Sequence, residues 1–273
     1  MSAHHPYAAA DLWDLVADGY AEFAPTIMRP FASHALEVAG PAADARIVDV
    51  AAGSGVLTLR AAGQVASVHA VDISERMLAR LRAAVRTADL DNVTVDRADG
   101  EALPFDTNTF DAAFSLFGLM FFRDRGAGFA ELFRVLRPGG VAVVSSWAPI
   151  ADSPLMMMMF EANAAADPDL QEPQPDFLSL ENPEVFAGEM RAAGFAGVTI
   201  QRHTAAISFD NSEEFWETMV LGSASMQWLR RECGERLWAE RSRTMRAYLD
   251  EVYRPHRPLT TTAFLGIGHK PRL

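Results

Sequence analysis

From residue 12 to about residue 44, apolar positions recur at helical spacing: Leu12, Leu15, Val16, Gly19, Tyr20 and Phe23, then Met28, Phe31, Leu36 and Val38. Pro25 divides this stretch into two predicted helices, and Gly40-Pro41 ends the second. From Arg46 the texture changes to short Val- and Ile-rich runs that alternate with amphipathic stretches. The runs predict strands at about 46–50, 67–72, 93–97, 110–115 and 140–146, with helices near 55–63, 75–87 and 124–136 between them. Strand–helix alternation of this kind builds a parallel sheet covered by helices. The helix over 75–87 is the best marked, with Ser74 as its N-cap and Met77, Leu78, Leu81 and Val85 as its apolar stripe. Leu136-Arg137-Pro138-Gly139-Gly140 stops the next helix and turns into the fifth strand.

After Trp147 the alternation breaks. Met156 to Met159 run without a polar residue between them, and residues 167–183 are rich in Pro, Asp, Glu and Gln. A helix at 182–193, a strand at 197–207, a charged helical stretch over 211–253 and a strand at 260–268 follow. The expected organisation is an N-terminal helical cap at 1–44, a core at 45–147, an inserted lid at 148–181, and the remainder of the fold at 182–273 with a helical insertion at about 211–253. The 273 residues carry 24 Lys and Arg against 36 Asp and Glu, a net charge of −12. A phosphate backbone is repelled by such a surface, so nucleic acid is not an expected partner. The apolar stretch Pro154 to Phe160 is too short to span a bilayer, and no basic start with an apolar run opens the sequence, so no membrane span and a cytoplasmic location are expected. Cys233 is alone, which excludes an intramolecular disulfide and a cysteine-based zinc site; no metal is expected.

The chemistry concentrates where the strands end. Between the first strand and its helix, Ala51 to Ser54 form a turn of small residues that lets a ligand approach the backbone. A dinucleotide fingerprint requires Gly-x-Gly-x-x-Gly, but Gly53 and Gly55 are followed by Thr58 where the third glycine belongs. Asp49 lies in the first strand, Asp72 closes the second and Asp99 follows the third. Asp72 is placed to accept both hydroxyls of a ribose, and Asp99 to accept the exocyclic amine of adenine.

These residues, with those after them, resemble the class I S-adenosylmethionine-dependent methyltransferases, in the branch of the ubiquinone and menaquinone biosynthesis enzymes and their small-molecule relatives. The resemblance runs in order through Val48-Asp49-Val50-Ala51-Ala52-Gly53-Ser54-Gly55, Val71-Asp72-Ile73-Ser74 with Met77 and Leu78, and Asp99 to Phe105. It continues through Phe110-Asp111-Ala112-Ala113-Phe114-Ser115 and Glu131 to Gly140, covering 45–146. It implies a Rossmann-like α/β fold with a seven-stranded, mostly parallel sheet whose last strand is antiparallel between the fifth and sixth. It implies S-adenosylmethionine as cofactor, with S-adenosylhomocysteine as product. Ala51, Gly53 and Gly55 would lie against the methionine part and ribose, Asp72 would hold the ribose, and Ile73 with Met77 would flank the adenosine. Asp99, Gly100 and Glu101 would follow the adenine edge. Asp49 would sit near the methionine amine or fix the turn, and Ser115 and Phe117 would border the sulfonium. The segment Ser115-Leu116-Phe117-Gly118-Leu119-Met120-Phe121-Phe122 departs from relatives, which often carry Gln or His there, so it says little about the acceptor.

Methyl transfer from a sulfonium is an in-line displacement that needs alignment and a dry site, not a covalent intermediate. The sequence assigns no general base. His4, His5, His69, His256 and His269 read as surface or core residues; His34 and His203 are better placed, on elements that can border an acceptor cavity. Tyr20 and Phe23 lie one turn apart on a helix that covers the cofactor in relatives, with plain packing as the competing reading. Trp147, Met156 and Phe160 complete the candidate acceptor wall, Trp216 is a further candidate, and Trp228 and Trp238 read as core. At least one of the consecutive methionines must pack inward. The mixed charges from Arg230 to Arg246 read as a solvated face, with binding of an acidic substrate as the lesser alternative. The function expected is methyl transfer to an apolar or aromatic small molecule by a monomer or homodimer. The alternatives are an NAD(P)-dependent oxidoreductase and a non-catalytic cofactor-binding protein on the same fold.

Overall fold

The computed structural model describes residues 6–167, 169–170, 180–255 and 257–272. Seven strands form one sheet: β1 (Arg46–Val50), β2 (Ser67–Asp72), β3 (Val93–Arg97), β4 (Phe110–Leu116), β5 (Leu136–Trp147), β6 (Ala196–Ile207) and β7 (Leu259–His269). Their order is β3-β2-β1-β4-β5-β7-β6. The first five run parallel to one another, and β7 inserts antiparallel to both β5 and β6. The chain reverses direction across the sheet at β1, where β2 lies on one side and β4 on the other. Ligands of open parallel sheets bind at such a switch point, outside the carboxyl ends of the strands.

The helices are α1 (Ala10–Ala39), α2 (Val56–Ala61), α3 (Glu75–Thr87), α4 (Arg125–Val135), α5 (Pro154–Ala166), α6 (Pro183–Ala192), α7 (Ser212–Leu221) and α8 (Ala224–Val252). The leading region is one helix, not two, and both Pro25 and Pro30 lie inside it. Each proline removes a backbone hydrogen bond, at about 3 kcal/mol in a helix interior. A continuous buried stripe from Leu12 through Val16, Ala24, Ile27 and Phe31 to Leu36 offsets that cost by packing along the whole length. Leu15, read above as part of the apolar stripe, faces solvent. The fifth strand begins earlier than the pattern predicts. Gly139, at φ 84°, donates to the Lys270 carbonyl at 2.8 Å, so the Pro-Gly-Gly turn is absorbed into the sheet margin as an irregularity opposite Phe110–Ala112. The charged stretch near 211–253 resolves into α7 and α8, and α8 leaves helical geometry at Gly234.

Two apolar layers cover the faces of the sheet. One contains Phe31, Ile47, Leu57, Phe114, Val143 and Leu265; the other contains Val48, Val71, Phe129, Leu132, Ala142 and Phe186. A third cluster, around Leu155, Met159, Phe215, Trp216, Trp238 and Leu249, joins α5, α7 and α8. α5 falls in the segment expected to be an inserted lid. Its buried side chains pack into that third cluster, and residues 171–179 of the segment lie outside the described residues.

Candidate active site

The two turns at the switch point are built against each other. Ala51 after β1 and Phe117 after β4 both adopt left-handed backbone, at φ 58° and 56°. Such conformations are uncommon for residues other than glycine and persist where their surroundings hold them. Gly118 explains the need for a small residue between these turns, because a Cβ there would run into the Ala51 methyl. The Phe117 N–H donates to the Ser145 hydroxyl and carbonyl at 3.1 and 3.2 Å, and the Leu119 N–H donates to the Ser115 hydroxyl at 3.1 Å. Ser115 thus holds the turn from beneath.

Asp72 organises the other side. One carboxylate oxygen accepts the Gly53 N–H and the other the Ser74 N–H, both at 2.8 Å. The residue is buried, and burial raises its pKa against the opposing effect of these backbone donors. Ser74 caps α3 through the Met77 N–H and donates its hydroxyl to Asp14 on α1. Asp18, one turn further along α1, pairs with Arg76 and Arg80 at 3.0 and 2.6 Å. Together these bonds clamp α1 onto the start of α3. The clamp sets Tyr20 against the glycine turn, 3.7 Å from where a Cβ on Gly53 would lie. Burial, then the charge of Asp72, pushes the Tyr20 hydroxyl above its ordinary range.

Asp49 is 2 % exposed and accepts the Thr58 hydroxyl at 2.6 Å. Burial pushes its pKa up to about 7 despite that bond. Gly55, at φ 91°, begins α2 and leaves room for Leu81; a Cβ at that position would collide with it. Asp49 and Gly55 therefore shape the turn from inside. Asp99 accepts the Glu101 N–H at 2.9 Å, and Glu101 accepts the N–H groups of Arg123 and Asp124 at 2.7 and 3.2 Å.

A cavity of about 160 Å³ opens over these strand ends. Of the residues expected to hold a cofactor, Ala51, Gly53, Asp72, Ile73, Met77, Asp99, Gly100 and Glu101 line it; Asp49, Gly55 and Ser115 do not. Of the expected acceptor residues, Tyr20 and Phe117 line it. Phe23 instead sits beside Gly222 at the end of α7. Trp147 does not line the cavity; its ring stacks on Phe117, with centroids 4.0 Å apart, and meets Phe31 edge-on. Met156 packs against the α5–α7–α8 cluster, and Phe160 is half-buried on the same helix. His34 and His203 stack on each other at 4.2 Å and do not line the cavity. His4, His5 and His256 lie outside the described residues.

Sequence reasoning missed the aromatic roof. Tyr7 stacks on Phe121 at 5.0 Å, and Trp13 meets Phe121 at 5.5 Å and Tyr20 at 6.1 Å. All four residues line the cavity, with Leu116, Phe122 and Arg123. The spacing of Trp13 and Tyr20, seven residues apart on one helix, was the available signal, because it puts both on one face.

The geometry agrees with comparisons to known proteins. Residues 47–140 match the family model described as a methyltransferase domain. An uncharacterized protein of Mycobacterium tuberculosis is 38% identical over 128 residues, 47% of this chain and 46% of that protein. The chain thus spans about half the length of that relative. A demethylmenaquinone methyltransferase of Clavibacter sepedonicus is 35% identical over 181 residues, 61% of this chain and 72% of that protein. The chain belongs to the class I S-adenosylmethionine-dependent methyltransferases. The methyltransferase fold is also that of a phosphoethanolamine N-methyltransferase from Haemonchus contortus, solved with phosphomonomethylethanolamine and S-adenosylhomocysteine. That structure superposes with a TM-score of 0.55 at 18% identity, over 89% of this chain and 53% of its own.

Proposed function

We propose that the cavity over β1–β4 binds S-adenosylmethionine and that the chain transfers its methyl group to an apolar or aromatic small molecule. The observation that carries this reading is the carboxylate of Asp72, fixed by one backbone N–H on each oxygen and set in the cavity wall. A carboxylate oxygen has two lone pairs, so one that accepts an N–H can also accept a ribose hydroxyl. Asp99 and Glu101 extend the acidic wall, which suits a ligand bearing hydroxyls, amines and a sulfonium. The same wall is unsuited to a pyrophosphate. The Gly53 and Gly55 N–H groups, which would face a dinucleotide's phosphates, are spent on Asp72 and the Ala52 carbonyl. This argues against the oxidoreductase alternative.

S-adenosylmethionine, when bound, supplies an electrophilic methyl on a positively charged sulfur. Trp13, Tyr20, Phe117 and Phe121 offer an aromatic surface for the acceptor and exclude water. Tyr20, with its pKa raised, stays protonated at neutral pH and acts as a hydrogen-bond donor, not a base. Acceptors whose nucleophile forms without a strong base fit best, such as an activated carbon, a thiolate or an amine. The name of the Clavibacter relative makes a demethylmenaquinone-like quinol the first acceptor to try. At about 160 Å³ the cavity is smaller than the roughly 300–1,000 Å³ usual for such ligands. The test is transfer of labelled methyl from S-adenosylmethionine to a panel of quinols, phenols, thiols and amines. Label in an extractable product is the expected result. Tight binding of S-adenosylhomocysteine with label on no acceptor would instead favour a non-catalytic protein.

A further inference from the structure

A second groove, between α7 and α8, encloses about 440 Å³ and shares no lining residue with the cavity over β1–β4. That volume falls in the ordinary range of small-molecule sites. One wall is the buried pair Trp216 and Trp238, whose ring centroids lie 6.1 Å apart at 28°. The break at Gly234 (φ 73°, ψ 162°) bends α8, so that Arg230 before it and Trp238 and Arg243 after it border one groove with α7.

The charges along this groove are not equivalent. Arg230 is forked onto Glu235 at 2.9 and 3.0 Å. Arg246 binds Glu213 at 2.8 Å while lying 5.1 Å over the Trp216 ring. Both cations are locally neutralised. Arg243 lines the groove, is exposed, and has no hydrogen bond or ion pair among the described residues. Glu217, across the groove on α7, is likewise without a partner, which disfavours a second negative group on any ligand. Residues 230–246 hold six arginines against three glutamates in a chain of net charge −12, so this stretch of α8 carries a local positive excess.

We propose that this groove binds a small aromatic or apolar monoanion, its apolar body against Trp216 and Trp238 and its carboxylate on Arg243. Arg230 and Arg246 have their charges matched within the chain, and the exposed Arg243 does not. An uncharged aromatic would gain only the indole surface. A dianion would meet Glu217.

The experiment titrates 2-naphthoate and its neutral isostere 2-naphthamide into the full chain, following tryptophan fluorescence and heat, with and without saturating S-adenosylhomocysteine. The naphthoate should bind equally in both conditions, and Arg243→Gln should weaken it about fivefold or more while leaving the naphthamide unchanged. Arg243 is exposed, so the variant keeps its fold. Three results would overturn the proposal: no naphthoate binding at millimolar concentration, equal loss for the neutral amide, or displacement of naphthoate by S-adenosylhomocysteine.

Discussion

The strand ends of β1–β3 and the aromatic region behind Phe117 border the same switch point but are held by different forces. At β1–β3, carboxylates accept hydrogen bonds from groups within 19 residues of them: Asp49 from the Thr58 hydroxyl, Asp72 from the Gly53 and Ser74 N–H groups, and Asp99 from the Glu101 N–H. Behind Phe117, the rings of Phe31, Trp147 and His203 meet edge-on or stacked, drawn from α1, β5 and β6. The first region is a local polar lattice, and the second is long-range packing. Damage to the lattice should therefore act first on the donor ligand, and damage to the packing on stability and acceptor choice.

Asp72→Ala should have the largest effect. It strips the acceptor from two backbone N–H groups, each costing about 1–3 kcal/mol when left unpaired, and it also removes the proposed ribose contacts. Affinity for S-adenosylhomocysteine should fall at least a hundredfold by calorimetry, with a lower melting temperature. A variant that binds normally would detach the lattice from the ligand. Next comes Gly118→Ala, whose methyl would strike Ala51 where the two regions touch. Forced contacts of this kind cost about 1–3 kcal/mol, visible as an earlier urea midpoint. An unchanged midpoint would mean that the Ala51 and Phe117 turns can move apart freely.

Trp147→Ala removes a ring stacked on Phe117 and should destabilise by about 2 kcal/mol, given its partial burial. If the regions are separable, donor affinity should stay within about twofold while the acceptor profile broadens. A parallel collapse of donor binding would show that the packing also supports the lattice. Asp49 gives a pH dependence instead of a fixed loss. Its pKa is near 7 when folded, against an ordinary value of 3.8, so the folded chain keeps a proton that the unfolded chain releases between those values. Stability should fall as pH rises from about 4 to 7 and then level off. Asp49→Asn cannot titrate, so its advantage over the natural chain should grow across that window and be least near pH 4. Denaturation midpoints at pH 4, 6 and 8 measure this; a constant difference would remove the buried proton from the account.

The same division explains what was legible in the sequence. Strand positions and the carboxylates at their ends could be read because each depends on partners within about twenty residues of chain, as with Ser74 capping α3. The continuity of α1 through Pro25 and Pro30 could not. Local propensity argues for a break there, and only burial against the sheet overrides it. The roof of Tyr7, Trp13 and Phe121 was hidden for a similar reason: Phe121 follows β4, more than a hundred residues from the helix it meets. Met156 and Phe160 were assigned to an acceptor wall because they follow β5. The helix that carries them instead docks on α7 and α8, where Met159 joins a core the sequence pattern does not reveal.

The most direct test is calorimetric titration of the full chain with S-adenosylhomocysteine and, separately, with NAD, each repeated on Asp72→Ala. The account predicts binding of S-adenosylhomocysteine, no measurable heat from NAD, and loss of the former in the variant. Binding of NAD with S-adenosylhomocysteine ignored would contradict it.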